Sequence, residues 1–166
     1  MDRKLEEQIK EAKKVIKEGG IVFFPTETAY GIAADATSSE AVEKVYEAKN
    51  RPQSKGLTAI VDSLETAEKF ADLGEAERKI IREFMPGPLT LVAERKNSVP
   101  KNLNDDFAFR ISSGEVASRL AEVGAITATS ANISGEETSY RVEDVSSELL
   151  DKVDYVIDAG ELESGP

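Results

Sequence analysis

The sequence predicts a single α/β domain built on a twisted, mixed β-sheet flanked by helices. Three observations carry that prediction. Short, wholly apolar runs such as Ile21-Val22-Phe23-Phe24 have the character of strands buried on both faces. Segments with apolar residues at helical spacing alternate with them. The order mixes β-α-β units with adjacent strands, which gives a mixed rather than purely parallel sheet. At 166 residues the chain fits one domain, 1–166, able to bury a core without disulfides or structural metal.

The first helix is expected from about Leu5 to Lys17, because Leu5, Ile9, Ala12 and Ile16 share one face and Gly19-Gly20 stops it. The buried strand at 21–24 follows. Pro25 to Gly31 reads as a hydroxyl-rich turn leading into a second apolar stretch, Ile32 to Ala36. Thr37-Ser38-Ser39-Glu40 has the form of a capping box, so a helix should run from there to about Ala48. Leu57 to Val61 is the next strand, Asp62-Ser63-Leu64-Glu65 caps a short helix, and Glu75 to Phe84 forms another.

Pro86-Gly87-Pro88 breaks the pattern, with strands expected at Leu89–Ala93 and Phe107–Ile111. A helix at Glu115–Glu122 leads to a strand at Ala125–Ser130 that runs into a polar loop. A helix at Val142–Leu150 and a strand at Tyr155–Asp158 complete the reading. Gly160 to Pro166 is loop-like, so the chain stops after a strand where one more element is expected; the end is either natural or cut short.

Composition removes much chemistry. Cysteine and histidine are both absent, which excludes a thiol nucleophile, a Ser-His-Asp triad, an imidazole base and a Cys/His zinc site. What remains suits reactions dominated by positioning and charge neutralisation, such as nucleotidyl transfer. The charged opening residues do not form a signal peptide, and no apolar run reaches membrane-spanning length, so a cytoplasmic protein without membrane contact is expected. With 21 basic and 32 acidic residues the net charge is −11, which argues against a general nucleic-acid coat.

In that background the run from Lys49 to Leu57, Lys-Asn-Arg-Pro-Gln-Ser-Lys-Gly-Leu, carries three cations and no acid. It is a loop beyond a helix, and Lys and Arg there suit phosphate oxygens. Lys49 can equally be read as a partner of the helix dipole. Three more polar loops adjoin expected strands: Thr26 to Tyr30, the neighbourhood of Arg110, and Ser130 to Asn132. Thr28 and Ser130 can be read as hydroxyls satisfying strand ends, and Asn132 as a turn residue. Arg110 in an apolar strand needs an anionic partner, either a ligand or an internal one such as Asp105 or Asp106. No P-loop or Gly-x-Gly-x-x-Gly pattern is present.

In this order the loops resemble the YrdC/TsaC family of threonylcarbamoyl-AMP synthases. The matching motifs are Phe-Pro-Thr-Glu-Thr-Ala-Tyr-Gly at 24–31, Lys-Asn-Arg-Pro-Gln-Ser-Lys-Gly-Leu at 49–57, Met-Pro-Gly-Pro-Leu-Thr at 85–90, Phe-Arg-Ile at 109–111 and Thr-Ser-Ala-Asn-Ile-Ser-Gly at 129–135. The resemblance implies a YrdC-like domain with a concave basic cavity. It also implies synthesis of threonylcarbamoyl-adenylate and pyrophosphate from L-threonine, bicarbonate and ATP, with substrate-bound Mg²⁺. The adenylate would pass to partner proteins that make N6-threonylcarbamoyladenosine in tRNA.

The roles it implies are phosphate binding by Arg51 and Lys55 with Lys49 in support, Lys49 and Arg51 forming the catalytic pair. Asn132 would bind the nucleotide, Thr28, Arg110 and Ser130 would grip threonine, and Thr26 and Tyr30 would shape the pocket. The alternative is a tRNA- or double-stranded-RNA-binding module without catalysis. A third reading, the related domain of hydrogenase-maturation carbamoyltransferases, sits poorly with a chain lacking cysteine. Two departures stand out. Some members carry a His that contacts threonine where this chain has Thr58-Ala59-Ile60. Members also usually continue beyond Ser164-Gly165-Pro166 with a Ser-Thr strand and a later Arg that complete the pocket.

Overall fold

The computed structural model describes residues 3–26 and 29–162. Its strands are β1 (Val22–Pro25), β2 (Tyr30–Ala33), β3 (Thr58–Val61), β4 (Ala71–Asp72), β5 (Leu91–Arg95), β6 (Phe107–Ile111), β7 (Ala125–Ser130) and β8 (Tyr155–Val156). The helices are α1 (Arg3–Lys17), α2 (Ser39–Lys49), α3 (Leu64–Ala67), α4 (Glu75–Phe84), α5 (Glu115–Leu120) and α6 (Ser147–Leu150). The strands form one sheet in the order β4-β5-β6-β3-β7-β2-β1-β8. The β1–β8 and β3–β6 pairs are parallel and the others antiparallel.

Alternation along β1 explains why its four residues are all buried. Val22 and Phe24 join Ile9, Ala12 and Ile16 of α1 and Val116, Ala117 and Leu120 of α5 in one apolar layer. Phe23 turns the other way, into a layer with Val42, Val45 and Tyr46 of α2 and Leu149 of α6. The sheet is thus covered on both sides, as an unbroken apolar strand requires.

Several expected boundaries shift for local reasons. The cap of α2 is Ser38, whose hydroxyl accepts from the Ala41 amide; Thr37 instead donates its hydroxyl to Asp35. Strand β2 begins at Tyr30, inside the expected turn, because Tyr30 pairs with Pro25. Strand β5 begins two residues late, since Leu91 is the first residue in register with β6, and Gly87 meanwhile donates to the Ile111 carbonyl.

The helix expected over Val142–Leu150 divides into a 3-10 turn at Val142–Asp144 and α6, with extended backbone at Val145. Val145 and Leu149 are both buried, so the helical spacing was a core signal. The break falls at Val145, and the helix restarts with Ser146 as the N-cap of α6. The two-residue edge strand β4 is too short to leave a pattern in the sequence.

Candidate active site

A cavity of about 380 Å³ opens on one face of the sheet. Register explains its floor. Residues paired across neighbouring strands, and residues two apart on one strand, project to the same face. Phe24 pairs with Gly31, Gly31 with Ser130, Thr58 with Ala128, and Ile60 with Arg110. Ala128 and Ser130 are two apart on β7, as Thr58 and Ile60 are on β3. Five strands therefore present one continuous floor, and all seven of these residues line the cavity. Gly31 keeps the floor open, since a Cβ there would lie 3.2 Å from both the Phe24 ring and the Thr129 carbonyl.

Thr26, Ala29, Tyr30, Thr90 and Thr138 complete the walls with Thr129. The Thr26 hydroxyl donates to the Ala29 carbonyl and accepts from the Ala29 amide. Tyr30 stacks on Phe23 with ring centroids 4.8 Å apart. Its phenol donates to the Gly160 carbonyl at 2.7 Å and accepts from the Ala159 amide at 3.0 Å. Burial pushes this phenol up from its usual range, so it stays a neutral donor. Tyr30 thereby anchors the 158–160 segment beside the cavity wall.

The cationic loop divides its charges. Lys49, the last residue of α2, is only 2% exposed. Its ammonium donates to the Thr129 hydroxyl and, at 2.7 Å, to the Ser130 carbonyl. The last turn of α2 is closed by the backbone of Asn50, whose amide faces the Glu47 and Tyr46 carbonyls in a left-handed conformation with φ 53°. Lys49 is thus committed to β7 rather than to the carbonyls of its own helix. Burial, and then the neighbouring Arg51 charge, lower its pKa to about 8.

Arg51 turns its fork onto the Gly56 carbonyl, with Nε at 3.1 Å and Nη2 at 2.9 Å. Gly56 has φ 66°, a conformation that favours glycine, and a Cβ there would lie 2.8 Å from Asn104 Nδ2. Lys55 is exposed on the 3-10 turn Gln53–Lys55.

At the end of β7, the Ser130 hydroxyl donates to Asn132 Oδ1. Asn132 Nδ2 donates to the Ile133 and Glu136 carbonyls at 3.0 and 2.8 Å. Asn132 therefore shapes its own turn, and the free capacity of its side chain lies on the oxygen.

Of the residues singled out in the sequence, Thr26, Tyr30, Arg110 and Ser130 line one cavity. Lys49 holds two of its wall residues from behind, while Arg51, Lys55 and Asn132 are outside the lining. Thr28 lies outside the described residues. Asp105, one internal partner considered for Arg110, lines a different cleft with Gln53 and Asn104.

Among the described lining residues Arg110 is the one charged group, and the rest are hydroxyl-bearing, apolar or glycine. Thr58, Ile60, Ala128 and Thr138 lie outside the matching motifs, whereas Phe24, Ala29, Gly31, Thr90 and Thr129 lie within them but have no role there. Among the described residues no cluster of three or more His, Cys, Asp or Glu could hold a metal ion. A lining of hydroxyls and one Arg does not make a dedicated divalent-cation cage.

A mixed α/β sheet with this hydroxyl-lined cavity defines a small-molecule-binding domain of recognisable type. The Sua5/YciO/YrdC profile, described as telomere recombination, matches residues 14–166, and the chain belongs to that family. It is 42% identical over 149 residues to a putative threonylcarbamoyl-AMP synthase of Methanocaldococcus jannaschii, covering 89% of this chain and 72% of that protein. It is 37% identical over 164 residues to the threonylcarbamoyl-AMP synthase of Pyrococcus abyssi, covering 95% of this chain and 48% of that protein. A crystal structure of P. abyssi Sua5 complexed with L-threonine superposes with a TM-score of 0.86 at 37% identity, over 95% of this chain and 48% of that one. The chain thus spans about half the length of the P. abyssi relative.

Proposed function

We propose that this chain is a threonylcarbamoyl-AMP synthase, a nucleotidyltransferase that joins L-threonine, bicarbonate and ATP and releases pyrophosphate. The observation that carries the reading is the cavity itself: among its described lining residues one guanidinium, Arg110, is set among threonine and serine hydroxyls on an otherwise apolar floor. That is a receptor for a small carboxylate bearing further polar groups. The names of the M. jannaschii and P. abyssi relatives, and the L-threonine in the P. abyssi complex, support the identity of the carboxylate.

Arg110 pairs the threonine carboxylate in a bidentate fork, with Ser130 and Thr28 completing the grip and Thr26 and Tyr30 fixing the wall. The neutral threonine amine attacks carbon dioxide to form a carbamate and release a proton, or attacks bicarbonate to form the same carbamate and release water, which carries off the amine proton. A carbamate oxygen then attacks the α-phosphorus of ATP, and pyrophosphate leaves with the bonding electrons of the broken P–O bond. Arg51 and Lys55 bind the phosphates, Lys49 supports them, and Asn132 offers its oxygen to the nucleotide.

No side-chain nucleophile is required, in keeping with a chain that has neither Cys nor His. Orientation and charge neutralisation supply the rate. Magnesium enters with ATP as part of the substrate. The adenylate then passes to proteins that modify an adenosine of tRNA. Among the described residues no helix is long and apolar enough to cross a membrane.

The test is pyrophosphate release from MgATP and bicarbonate with and without L-threonine. Release that requires threonine is expected. Release independent of threonine, or none at all, overturns the reading.

A further inference from the structure

Lys49 is the one charged side chain among the buried residues of the described structure. An ammonium carries three N–H donors, and two acceptors are present, the Thr129 hydroxyl and the Ser130 carbonyl. Neither is charged. No described carboxylate is paired with it, and the charged group recorded against it is another cation, Arg51. Its own helix α2, strand β7 and the turn that donates Ser134 N–H to the Lys49 carbonyl at 2.8 Å bring it no counter-ion. A buried charge without a partner is unfavourable. Here it is held where α2, β7 and the 130–136 turn meet, behind the wall of the cavity.

We propose that Lys49 is a positioning residue whose protonation is coupled to anion binding: a polyanion held beside Arg51 supplies the missing counter-charge, and the protonated ammonium then fixes Thr129 and Ser130 at the cavity wall. The inference rests on the reading that ATP phosphates lie at Arg51 and Lys55, and it adds a proton to that binding step. In the free protein burial and the Arg51 charge depress the Lys49 pKa to about 8. An anion opposes both effects and raises it. MgATP binding above about pH 8 must therefore draw a proton from the buffer, and affinity must fall as pH rises through that region.

Isothermal titration of the intact protein with MgATP, without threonine or bicarbonate, tests this at pH values where the nucleotide is already ionised. Run near pH 8 in two buffers of different ionisation enthalpy, it should report uptake of about half a proton per MgATP bound. From there to about pH 9.5 the Kd should rise by up to tenfold per pH unit. In Lys49→Met the proton uptake should vanish and the Kd become flat with pH; Lys49→Gln, which keeps a neutral donor, should behave alike. The wild-type titration decides the matter even if neither variant folds. Tight MgATP binding with no proton exchange and a flat pH profile overturns this inference and leaves the proposed function standing. No MgATP binding at any pH overturns both.

Discussion

Replacing Lys49 by Met should change how the stability of the free protein depends on pH. The depression of the Lys49 pKa from an ordinary 10.5 to about 8, by burial first and the Arg51 charge second, corresponds to about 3 kcal/mol against the charged form. The folded state binds fewer protons than the unfolded chain between those two values, so this group makes stability rise with pH across that window. Below about pH 8 the penalty is complete, and above about pH 10.5 it is gone. Lys49→Met removes the penalty but also both hydrogen bonds, each worth about 1 kcal/mol net or somewhat more for a charged donor. Near neutral pH the variant should therefore be similar to wild type or more stable by about 1 kcal/mol. As pH rises from 7 to 10.5, wild type should gain about 3 kcal/mol relative to the variant. Urea unfolding of both proteins at matched pH measures the difference free of the other titrating groups. A difference that stays flat across this range refutes the account of Lys49 as a buried, uncompensated charge.

Gly56→Ala should lower stability by about 1–2 kcal/mol through the left-handed backbone, which thermal unfolding would register as a drop of about 2–8 °C; an unchanged melting temperature would contradict it. Because the Gly56 carbonyl holds the Arg51 fork, the same variant should also weaken MgATP binding in titration. Arg110→Gln should raise the KM for threonine by roughly 10–100-fold, the cost of a charged hydrogen-bonded pair, while the Kd for MgATP alone stays within about twofold; equal loss of both would place Arg110 elsewhere in the reaction. Tyr30→Phe removes the bonds to Gly160 and Ala159, so amide hydrogen exchange at 159–160 should accelerate with little change in α1 or β3; unchanged exchange would show that Tyr30 does not anchor the segment.

Much of the architecture was legible because short-range pattern decides it. The all-apolar 21–24 run, the heptad-like spacing of Ile9, Ala12 and Ile16, and the Phe107–Ile111 strand needed no distant information. The cavity floor was less legible. That Ile60 lies beside Arg110, and Thr58 beside Ala128, depends on the register of strands some 50 and 70 residues apart, and no local signal encodes it. Motif order brought Arg110, Ser130, Thr26 and Tyr30 to the site, yet it could not say which face of the sheet each side chain would take. Asn132 shows the limit from the other side: both its turn-forming pattern and its place in the 129–135 motif were visible, and the structure shows the turn.

The Lys-x-Arg spacing gains its meaning from the residue between. Asn50 ends α2 in the left-handed region, φ 53° and ψ 39°, which is tolerable for Asn where most side chains would resist it. That reversal sends the two cations to different tasks. Lys49, still on the helix, points into the protein and holds β7; Arg51, past the turn, folds back on the Gly56 carbonyl and braces the loop that presents Lys55. A continuous helix would have set both on the same cylinder, about 200° apart, and neither the β7 contact nor the loop brace would follow. In a chain of net charge −11, long-range attraction cannot concentrate an anion. On the proposed function local placement does so, with one cation buried without a counter-ion among the described residues and one braced at the loop. On the same reading an anion completes the arrangement, and the pH dependence of MgATP affinity, rather than its strength alone, is the measurement that tests it.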